Sequence, residues 1–496
     1  MKEKKEIDVL LVNPPNAFAQ YIGSKLNSAV LKYPLLSFAS LAAVLRQEGA
    51  RVAILDLGIV GNYDGIERIF EKIKPKYIGF TGTTPLFPKV AELSSKCRQI
   101  LGNEVTLLVG GPHATALPEE VLMSSEIDIL VFGEGERTIV DIWKGEKLSE
   151  IKGIYYKDNG KVVKTSHRER IECLDDLPFL AVDLFDSQYY HSAKALSKAT
   201  PNFQYESSRG CTGTCTFCNK NISGARFRPK SPERVVSEIE HILSHGYKEI
   251  RFVDDQFNAD ADRAIKICEL IIKKGLTFPW SLASGIRVDS VDEEVFKVAK
   301  KSGCYQMGIG FEAGDQAALD SIRKGITLEQ SLNCMRLIRK AGIEAIGFFI
   351  FGLPEDTEET MKETIRFALK LRPDYAKATI LMPFPGTSLF NQYERKGLIK
   401  TREWDKYNFH LVKEVYKHPT LEFAVLQHYY NKFYKKFYLN PHFLYRKLFS
   451  SIKNFSLVDN LTFGLQTFSP ALFAPQLFSF KDAYECYEKT IAKRLK

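Results

Sequence analysis

Two stretches of the chain alternate short apolar segments with longer amphipathic ones, and this alternation restricts the fold more than any other feature. In the first stretch, residues 7–145, five apolar segments have the pattern of strands, with helical patterns between them. Because parallel strands need crossover connections, this order predicts a parallel sheet with helices on both faces. We therefore expect an α/β chain whose first domain, residues 1–145, is a doubly wound, Rossmann-like sheet. The predicted strands are Val9–Asn13, Arg51–Asp56, Tyr77–Thr81, Val105–Gly110 and Ile127–Phe132.

Residues 201–385 repeat the same alternation six times. Six strand–helix units are two short of a closed eight-unit barrel, so we expect a (βα)6 partial TIM barrel over residues 201–400, with its chemistry at the carboxyl ends of the strands. Residues 146–200 have a β-like Gly153–Tyr156 and a turn at Lys157–Gly160, and we interpret them as a linker packing on both neighbours. The predicted barrel strands are Phe203–Ser207, Glu249–Val253, Trp280–Gly285, Gln306–Phe311, Glu344–Phe351 and Tyr375–Leu381.

Composition excludes several classes of protein. The chain has 496 residues, of which 45% are hydrophobic and 26% charged, as is usual for a globular protein. The net charge of +9 is a mild excess at this length, so we expect no nucleic-acid partner. The N-terminus lacks the pattern of a signal peptide, and no apolar run approaches the roughly 20 residues that cross a bilayer. We expect a cytoplasmic protein.

The last region, residues 401–496, is mainly helical in pattern and strongly aromatic. Between Tyr429 and Phe449 it combines nine tyrosines and phenylalanines with five basic residues and no acidic one. One interpretation is a helical cap whose aromatic side chains are buried on the barrel. The other is a surface that contacts a membrane peripherally, or a lipid-like substrate.

Three of the nine cysteines, Cys211, Cys215 and Cys218, lie within eight residues. They follow the first predicted barrel strand and therefore occupy a loop at its carboxyl end. Thiolates at this spacing can hold three irons of a [4Fe-4S] cluster and leave the fourth iron open. The alternatives are a zinc site, which lacks an obvious fourth local ligand, and buried structural cysteines.

This Cys-x3-Cys-x2-Cys loop, with an aromatic residue before the last cysteine, resembles the signature of the radical S-adenosylmethionine superfamily. The six-unit barrel is the fold expected of that family. The resemblance implies that S-adenosylmethionine chelates the open iron, and that the reduced cluster cleaves it to a 5′-deoxyadenosyl radical, which takes hydrogen from the substrate. It also implies an external electron donor such as flavodoxin or ferredoxin.

Four further residues at strand ends are candidates for S-adenosylmethionine binding. Asp254 and Asp255 stand where many members of the family carry a Gly-Gly-Glu-like element that holds the methionine amino group. Arg287 is placed to pair with the methionine carboxylate, and Glu312 to bind the ribose hydroxyls or the amino group. The alternatives are turn or capping roles for the two aspartates, and structural salt bridges for Arg287 and Glu312.

The first domain carries glycine-containing elements after its strands: Thr81–Thr83, Gly110–His113 and Phe132–Glu136. Glycines after a strand let the tail of a cofactor approach the backbone closely. The spacing of the first two elements resembles that of cobalamin-binding domains, so together with the barrel the chain resembles the cobalamin-dependent radical S-adenosylmethionine class. The residues that the resemblance assigns to cobalamin are Thr81, Thr83, Gly110, Gly111, Gly133 and Glu134.

One feature departs from the classical cobalamin domain. There, a histidine on the loop after the first strand ligates cobalt, but here the loop from Asn13 to Ser24 contains no histidine. Either cobalamin binds without a protein histidine, or the domain binds none and serves as a lid. His113 belongs to the Gly-Gly element, and we interpret it as stabilising that loop rather than as a cobalt ligand.

The leading hypothesis is cobalamin-dependent methyl transfer to an unactivated carbon or phosphorus centre of a small-molecule or lipid-like substrate. The alternative is a radical oxidoreductase or cyclase of the same architecture, acting on a tetrapyrrole or lipid-like molecule. A methylthiolating enzyme would need a second cluster in the first domain, where Cys97 is the only cysteine of residues 1–145. A non-enzymatic cobalamin or redox sensor would need an output module, and no DNA-binding motif is present.

Overall fold

The first sheet contains seven strands in the order β2-β1-β3-β4-β5-β6-β7. The computed structural model describes residues 5–15, 32–59, 63–190, 197–408 and 413–453. Strands β1 to β5 are parallel, which confirms the predicted doubly wound sheet. The strands are β1 (Lys5–Asn13), β2 (Val52–Asp56), β3 (Ile73–Thr81), β4 (Thr106–Gly110), β5 (Ile129–Val131), β6 (Ile154–Asp158) and β7 (Lys161–Lys164).

Helices pack on both faces of this sheet because its central strands are apolar on both sides. In β1, Val9, Leu10, Leu11 and Val12 are all buried, a pattern that only a doubly covered strand shows. The helices of this part of the chain are α1 (Leu36–Gln47), α2 (Glu67–Phe70), α3 (Phe87–Leu101), α4 (Pro112–Ala116), α5 (Pro118–Met123) and α6 (Glu136–Lys144).

Strands β6 and β7 form a hairpin that extends the first sheet antiparallel to β5. The predicted turn is present: Asn159 and Gly160 have φ values of 47° and 77°, as the two central residues of a type I′ turn require. The first sheet therefore continues to Lys164, beyond the boundary predicted at residue 145. From there to residue 190 the chain makes short 3-10 turns and no further strand.

The second sheet has six parallel strands in the order β15-β14-β13-β12-β11-β8, the predicted six-unit partial barrel. A separate two-stranded ribbon pairs β9 with β10. The strands are β8 (Asn202–Tyr205), β9 (Ser208–Arg209), β10 (Arg228–Pro229), β11 (Glu249–Phe252), β12 (Trp280–Ile286), β13 (Cys304–Glu312), β14 (Glu344–Phe351) and β15 (Tyr375–Ile380). The helices are α7 (Pro232–Ser244), α8 (Ala261–Lys273), α9 (Glu293–Lys301), α10 (Gln316–Ser321), α11 (Leu328–Ala341), α12 (Glu358–Leu371) and α13 (Ser388–Arg395).

The barrel helices begin where short polar side chains cap them. Each capping side chain accepts a hydrogen bond from a backbone N–H of the first helical turn, which satisfies a donor that the helix itself leaves unpaired. Such caps fix where each loop ends and hence the geometry of the strand ends that precede them. The capping residues are Ser231, Asp260, Asp292, Asp315, Thr327, Thr357 and Thr387.

Two further helices, α14 (Phe423–Tyr438) and α15 (Pro441–Lys453), follow the barrel, and α14 covers its edge strand β15. The Tyr434 hydroxyl accepts from the Ala378 N–H and donates to the Ala378 carbonyl, both at 3.0 Å. Tyr438 binds Ala376 in the same way at 3.1 and 2.7 Å. Side chains thus replace the missing neighbouring strand and protect the edge from pairing with another chain.

The structure supports the helical-cap interpretation for α14. Phe433 is fully buried, and its ring centroid lies 5.3 Å from that of Phe349 and 5.5 Å from that of Phe351. Beyond α14, Leu444 and Tyr445 are exposed, so the interpretation of a membrane-contacting surface remains a prediction for α15. No helix in the described ranges is long and apolar enough to cross a membrane.

Candidate functional site

The loop that carries the three cysteines is closed at its base by the β9–β10 ribbon, in which Arg209 pairs with Arg228. Gly210 begins the loop with a φ of +87°, and a Cβ there would lie 2.1 Å from the Arg226 carbonyl oxygen. Only glycine fits this conformation and this approach. The ribbon therefore brings the two ends of residues 210–227 together and presents the cysteines at the carboxyl end of β8.

The cysteine side chains lie on tight turns of this loop. The Gly213 N–H donates to Cys211 Sγ at 3.4 Å, and the Cys218 N–H donates to the Cys215 carbonyl at 3.3 Å. The hydrogen bond between the two thiols lowers the pKa of Cys215 to about 6 and raises the pKa of Cys218, while the positive charge of Lys324 acts to lower both. Lys324 therefore favours the thiolate form, in which cysteine binds an iron–sulfur cluster.

Within the described residues, no three His, Cys, Asp or Glu side chains are grouped so that they could hold one metal ion. A cubane cluster binds each cysteine at a different iron, so its ligands need not meet at one point. A mononuclear zinc site needs four ligands on one centre. Three thiolates are the number of protein ligands for a cubane cluster that leaves one iron open.

Asp254, at the end of β11, holds the start of the cysteine loop. Its carboxylate accepts from the hydroxyls of Ser207 and Ser208 at 2.6 and 2.5 Å, and from the Ser207 N–H at 3.2 Å. Burial raises the pKa of Asp254, and these hydrogen bonds and the charge of Arg263 oppose the shift. These contacts correspond to the turn-holding alternative rather than to a direct contact with S-adenosylmethionine.

The next two residues extend this clamp along the loop. Asp255 accepts from the Gly210 N–H at 2.9 Å, and Gln256 accepts from the N–H and hydroxyl of Thr212 at 3.4 and 3.3 Å. Asp255 is exposed, and its second carboxylate oxygen has no hydrogen-bond partner in the described part of the chain.

Arg287 lies directly against the cysteine loop, as its predicted role requires. A Cβ on Gly213 would stand 2.4 Å from its Nη1 atom. The Nε and Nη2 atoms donate to the two oxygens of Asp289 at 3.0 and 2.7 Å, and Nη2 also donates to the Lys324 carbonyl at 3.1 Å. Asp289 thus orients the guanidinium, and Nη1 points toward the loop without a hydrogen bond among the described residues.

Glu312 ends β13 in an unusual backbone conformation, with a φ of +62°. Its carboxylate forms an ion pair with Lys324 at 2.6 Å, and both residues are buried. Gly310 leaves the room for this pair, since a Cβ there would lie 2.5 Å from Glu312 Oε1 and 2.8 Å from Lys324 Nζ. Burial lowers the pKa of Lys324, but the negative charges of Glu312 and Cys215 outweigh that effect and raise it.

A cavity of about 260 Å³ lies between the carboxyl edge of the first sheet and the base of the cysteine loop. Gly111 has a φ of +97°, and a Cβ there would lie 2.6 Å from Thr81 Oγ1, so a larger residue would collide with the side chain of Thr81 in the cavity wall. Thr83 is exposed and lies outside the cavity lining, so its assignment to cobalamin gains no support. The five other residues assigned to cobalamin all line the cavity: Thr81, Gly110, Gly111, Gly133 and Glu134.

Glu134 lines the cavity, but its carboxylate is bound to the barrel. It accepts from Arg228 at 2.6 and 3.1 Å, from Arg209 at 3.2 Å and from the Ile171 N–H at 2.8 Å. Sequence reasoning did not identify Arg209 or Arg228, although Arg209 stands directly before Gly210 of the cysteine motif. Lys324 was also missed, and the sequence offers no signal for it.

His113 is buried between aromatic rings and is not among the cavity-lining residues. Its ring centroid lies 4.6 Å from that of Phe87 and 5.2 Å from that of Trp404, and Nδ1 is 3.3 Å from Thr84 Oγ1. Burial lowers the pKa of His113 to about 3. These contacts fit the loop-stabilising interpretation. Most of the histidine-free loop after β1, residues 16–31, lies outside the described residues.

Two family models match the chain in the regions of the two sheets. The radical SAM superfamily model matches residues 205–368, and the B12 binding domain model matches residues 26–142. The order of the two matches is that of the two domains described above.

Curated relatives cover most of the chain. It is 35% identical over 454 residues to the uncharacterized methyltransferase PH0819 of Pyrococcus horikoshii, covering 90% of this chain and 95% of the relative. It is 29% identical over 362 residues to the anaerobic magnesium-protoporphyrin IX monomethyl ester cyclase of Cereibacter sphaeroides, covering 70% of this chain and 58% of the relative.

Solved structures share the fold. The cobalamin-dependent S-adenosylmethionine radical enzyme OxsB with aqua-cobalamin bound superimposes with a TM-score of 0.70 at 19% identity, covering 99% of this chain and 76% of that one. The radical S-adenosylmethionine methyltransferase TsrM of Kitasatospora setae, with cobalamin and a [4Fe-4S] cluster bound, gives 0.64 at 18% identity, covering 79% and 75%. With the relatives and both domain matches, the chain belongs to the cobalamin-dependent radical S-adenosylmethionine enzymes of the methyltransferase family, whose cofactors are S-adenosylmethionine, a [4Fe-4S] cluster and cobalamin.

Proposed function

We propose that this enzyme transfers a methyl group to an unactivated carbon or phosphorus centre of a small-molecule substrate. One observation carries the proposal: the glycine-lined cavity of the first sheet and the cysteine loop share a wall. Arg209, two positions before Cys211, is itself a cavity-lining residue. A methyl carrier in the cavity and a radical source at the loop would therefore lie next to one another, as transfer to a substrate radical requires.

The residues of the cysteine loop divide the work between binding and positioning. Cys211, Cys215 and Cys218 hold the cluster, which with S-adenosylmethionine supplies the electron and the radical chemistry, while cobalamin carries the methyl group. Asp254 and Gln256 hold the loop in place through its backbone and hydroxyl groups.

Three charged groups beside the cysteines, Asp255, Arg287 and Glu312, are suited to S-adenosylmethionine, and the second carboxylate oxygen of Asp255 can accept from the methionine amino group. The free Nη1 of Arg287 can pair with the methionine carboxylate, and Asp289 keeps the guanidinium in the required orientation. The Glu312 carboxylate can accept from the ribose hydroxyls or the amino group, while its ion pair with Lys324 fixes where it lies. Because both partners of this pair are buried, it holds its geometry before the cofactor enters.

Product analysis tests the proposal. The enzyme loaded with cluster and cobalamin is incubated anaerobically with S-adenosylmethionine, a strong reductant and candidate substrates, and nucleoside products are quantified. Methyl transfer predicts both S-adenosylhomocysteine and 5′-deoxyadenosine, and the deuterated methyl of labelled S-adenosylmethionine must appear in the product. Continued absence of S-adenosylhomocysteine, with 5′-deoxyadenosine still forming, would contradict methylation.

A second candidate function is a radical oxidoreductase or cyclase that acts on a tetrapyrrole or lipid-like substrate. The similarity to the Cereibacter sphaeroides cyclase, 29% over 70% of this chain, favours it specifically. Such an enzyme would form 5′-deoxyadenosine without S-adenosylhomocysteine, so the same assay separates the two functions. Comparing flavodoxin and ferredoxin as reductants in that assay would also identify the class of external electron donor.

Peripheral membrane contact is a separate part of this proposal. Exposed Leu444 and Tyr445 on α15 lie close in sequence to Lys435 and Lys436 on α14, an apolar and basic combination suited to an anionic lipid surface. Co-sedimentation with vesicles of anionic phospholipid, compared with the Lys435→Ser and Lys436→Ser double variant, tests this. Sedimentation of neither protein would remove the membrane contact, and equal sedimentation of both would remove the role of the two lysines in it.

A further inference from the structure

A buried arginine joins the cysteine loop to the first domain. Arg209 donates from Nη2 to Glu136 at 2.6 Å, from Nη1 to Glu134 at 3.2 Å and from Nε to Glu206 at 2.7 Å. Its side chain is 13% exposed, and those of Glu134 and Glu136 are 6% exposed. All three edges of one guanidinium are therefore used by carboxylates, two of them from the other domain.

The opposite end of the cysteine loop is tied to the same place. Arg228 pairs through the backbone with Arg209 in the ribbon, and its side chain, 2% exposed, donates to both oxygens of Glu134. It also donates to the Ser223 carbonyl at 2.9 Å, within the loop. A single carboxylate of the first domain thus holds both ends of the segment that carries the cysteines.

The same side chains form part of the cavity wall. Glu134, Glu136, Arg209 and Glu206 all line the cavity. Glu136 is held from its own domain as well, since it accepts from the Ser40 hydroxyl at 2.9 Å, and Ser40 also lines the cavity. A ligand in this cavity would therefore contact the network that determines where the cysteine loop lies.

We infer that Arg209 is a positioning residue that couples the two cofactor sites: occupancy of the cavity by cobalamin strengthens retention of the cluster, and the cluster strengthens cobalamin binding. The inference rests on the proposed function, because it takes the cavity to be the cobalamin site. Whichever cofactor binds first restricts the motion of the shared buried ion pairs. The second cofactor then loses less conformational entropy on binding, because that part of the protein is already ordered. Thermodynamic linkage requires the two effects to be equal in size.

The geometry makes arginine specifically necessary. Three carboxylates are bound by three separate N–H edges of a planar group, and lysine would offer one point charge in place of that fork. Arg209→Lys therefore keeps the charge, which limits loss of folding, but cannot bind Glu134, Glu136 and Glu206 together. The variant separates positioning from simple charge balance.

The test is the cobalamin affinity of the full chain, measured by titration with hydroxocobalamin before and after anaerobic reconstitution of the cluster. For the natural protein we expect about tenfold tighter binding when the cluster is present, within the usual range of coupling between sites. In Arg209→Lys the ratio of the two affinities, with and without the cluster, should fall to about one. The reciprocal measurement is the rate at which a chelator removes iron, which cobalamin should slow by a similar factor in the natural protein alone.

Arg402→Lys is the matched control. Arg402 also forms an interdomain pair, with Glu120, but the two side chains are 48% and 29% exposed and neither residue lines the cavity. The ratio of affinities should be unchanged in this variant. Circular dichroism and thermal melting of Arg209→Lys and Arg402→Lys show whether either is folded before binding is compared.

The outcomes separate this inference from the proposed function. Cobalamin binding that is equally tight with and without the cluster would overturn the coupling and leave methyl transfer standing. A ratio that survives in Arg209→Lys would show coupling by another route and would contradict the role of Arg209. No cobalamin binding in either state would contradict the proposed function itself.

Discussion

The two proposed cofactor sites are built in opposite ways. In the first domain the cavity depends on the absence of side chains: Gly111 takes a left-handed conformation beside Thr81, and Gly133 has open space around it. At the barrel, the cysteine loop depends on side chains that hold it, above all Asp254 and Arg209. The first proposed site leaves space for a ligand, whereas the second must fix three thiolates in place.

The two sites should therefore tolerate different kinds of substitution. A larger residue at a glycine of the cavity should weaken ligand binding, and the variant should stay folded because few contacts are lost. The cysteine loop should be damaged when one of the side chains that hold it is removed, because the polar groups that this side chain bound are then buried without partners. The following predictions test this contrast, beginning with the largest expected effect.

Removing a cluster ligand should have the largest effect. Cys211→Ala should lower S-adenosylmethionine cleavage by more than about 100-fold, because even residues behind the ligands of metal sites typically contribute about 10- to 100-fold. Iron content and the visible absorbance of the reconstituted protein measure the loss. Cys173→Ala, which removes an exposed cysteine outside the motif, should keep both. Equal iron in the two variants would contradict the assignment.

Adding one carbon to the cavity should have the next largest effect. Gly111→Ala would place a Cβ 2.6 Å from Thr81 Oγ1 at a φ of +97°, and we expect cobalamin affinity to fall by about 10- to 100-fold, or roughly 1.4 to 2.7 kcal/mol. The control is Gly102→Ala, where φ is +67° and the Cβ would meet open space. It should lose some stability but no cobalamin affinity. Unchanged affinity in Gly111→Ala would place cobalamin elsewhere.

His113 should make folding stability depend on pH. Its folded pKa of about 3 lies below the usual 6.5, so the unfolded chain binds the proton more readily. Stability from this group is present above about pH 6.5 and is lost as the pH falls toward 3, by about 1.4 kcal/mol per unit. Denaturation at pH 7 and pH 5 should show roughly 2 kcal/mol less pH dependence in His113→Gln. Cobalamin binding should persist in this variant, and its loss would revive His113 as a ligand.

The smallest effect should come from the covered barrel edge. Tyr434→Phe removes the hydroxyl that pairs with both backbone groups of Ala378, and should lower the free energy of unfolding by about 1 kcal/mol. Tyr445→Phe, at a tyrosine that is 70% exposed, should change it by less than about 0.5 kcal/mol. Indistinguishable urea midpoints for the two variants would argue against the edge-capping role.

Local pattern was enough to predict the architecture and the cysteine motif. Strand and helix positions follow from apolar periodicity, and the turn at Lys157–Gly160 from its Asn159 and Gly160. The antiparallel hairpin that this turn closes was not predicted, because the region was interpreted as a linker. The extent of the first sheet was underestimated, because whether β6 and β7 pair with β5 depends on the neighbouring edge and not on their own residues. Pattern also predicted that glycines would border the cavity, because they follow strands.

The partners of the charged residues could not be predicted. Arg228 and Glu134 are 94 residues apart, and only the docking of the two domains brings them together. Lys324 pairs with Glu312 because Gly310 leaves room, a fact about three-dimensional space that no motif expresses. Asp254 was placed at the correct strand end, but the sequence left open whether it contacts S-adenosylmethionine or holds a turn; its carboxylate binds Ser207 and Ser208, just before the cysteine loop.

We expect one chain to hold a [4Fe-4S] cluster and cobalamin in neighbouring sites, and the metal stoichiometry of the loaded protein measures this directly. The full chain is reconstituted anaerobically with iron, sulfide and hydroxocobalamin, and the metals that co-elute with protein on gel filtration are counted. We predict about one cobalt and about four iron atoms per chain. Iron at that level with no cobalt would contradict it, and would leave the first domain as a lid on a radical enzyme that does not transfer methyl groups.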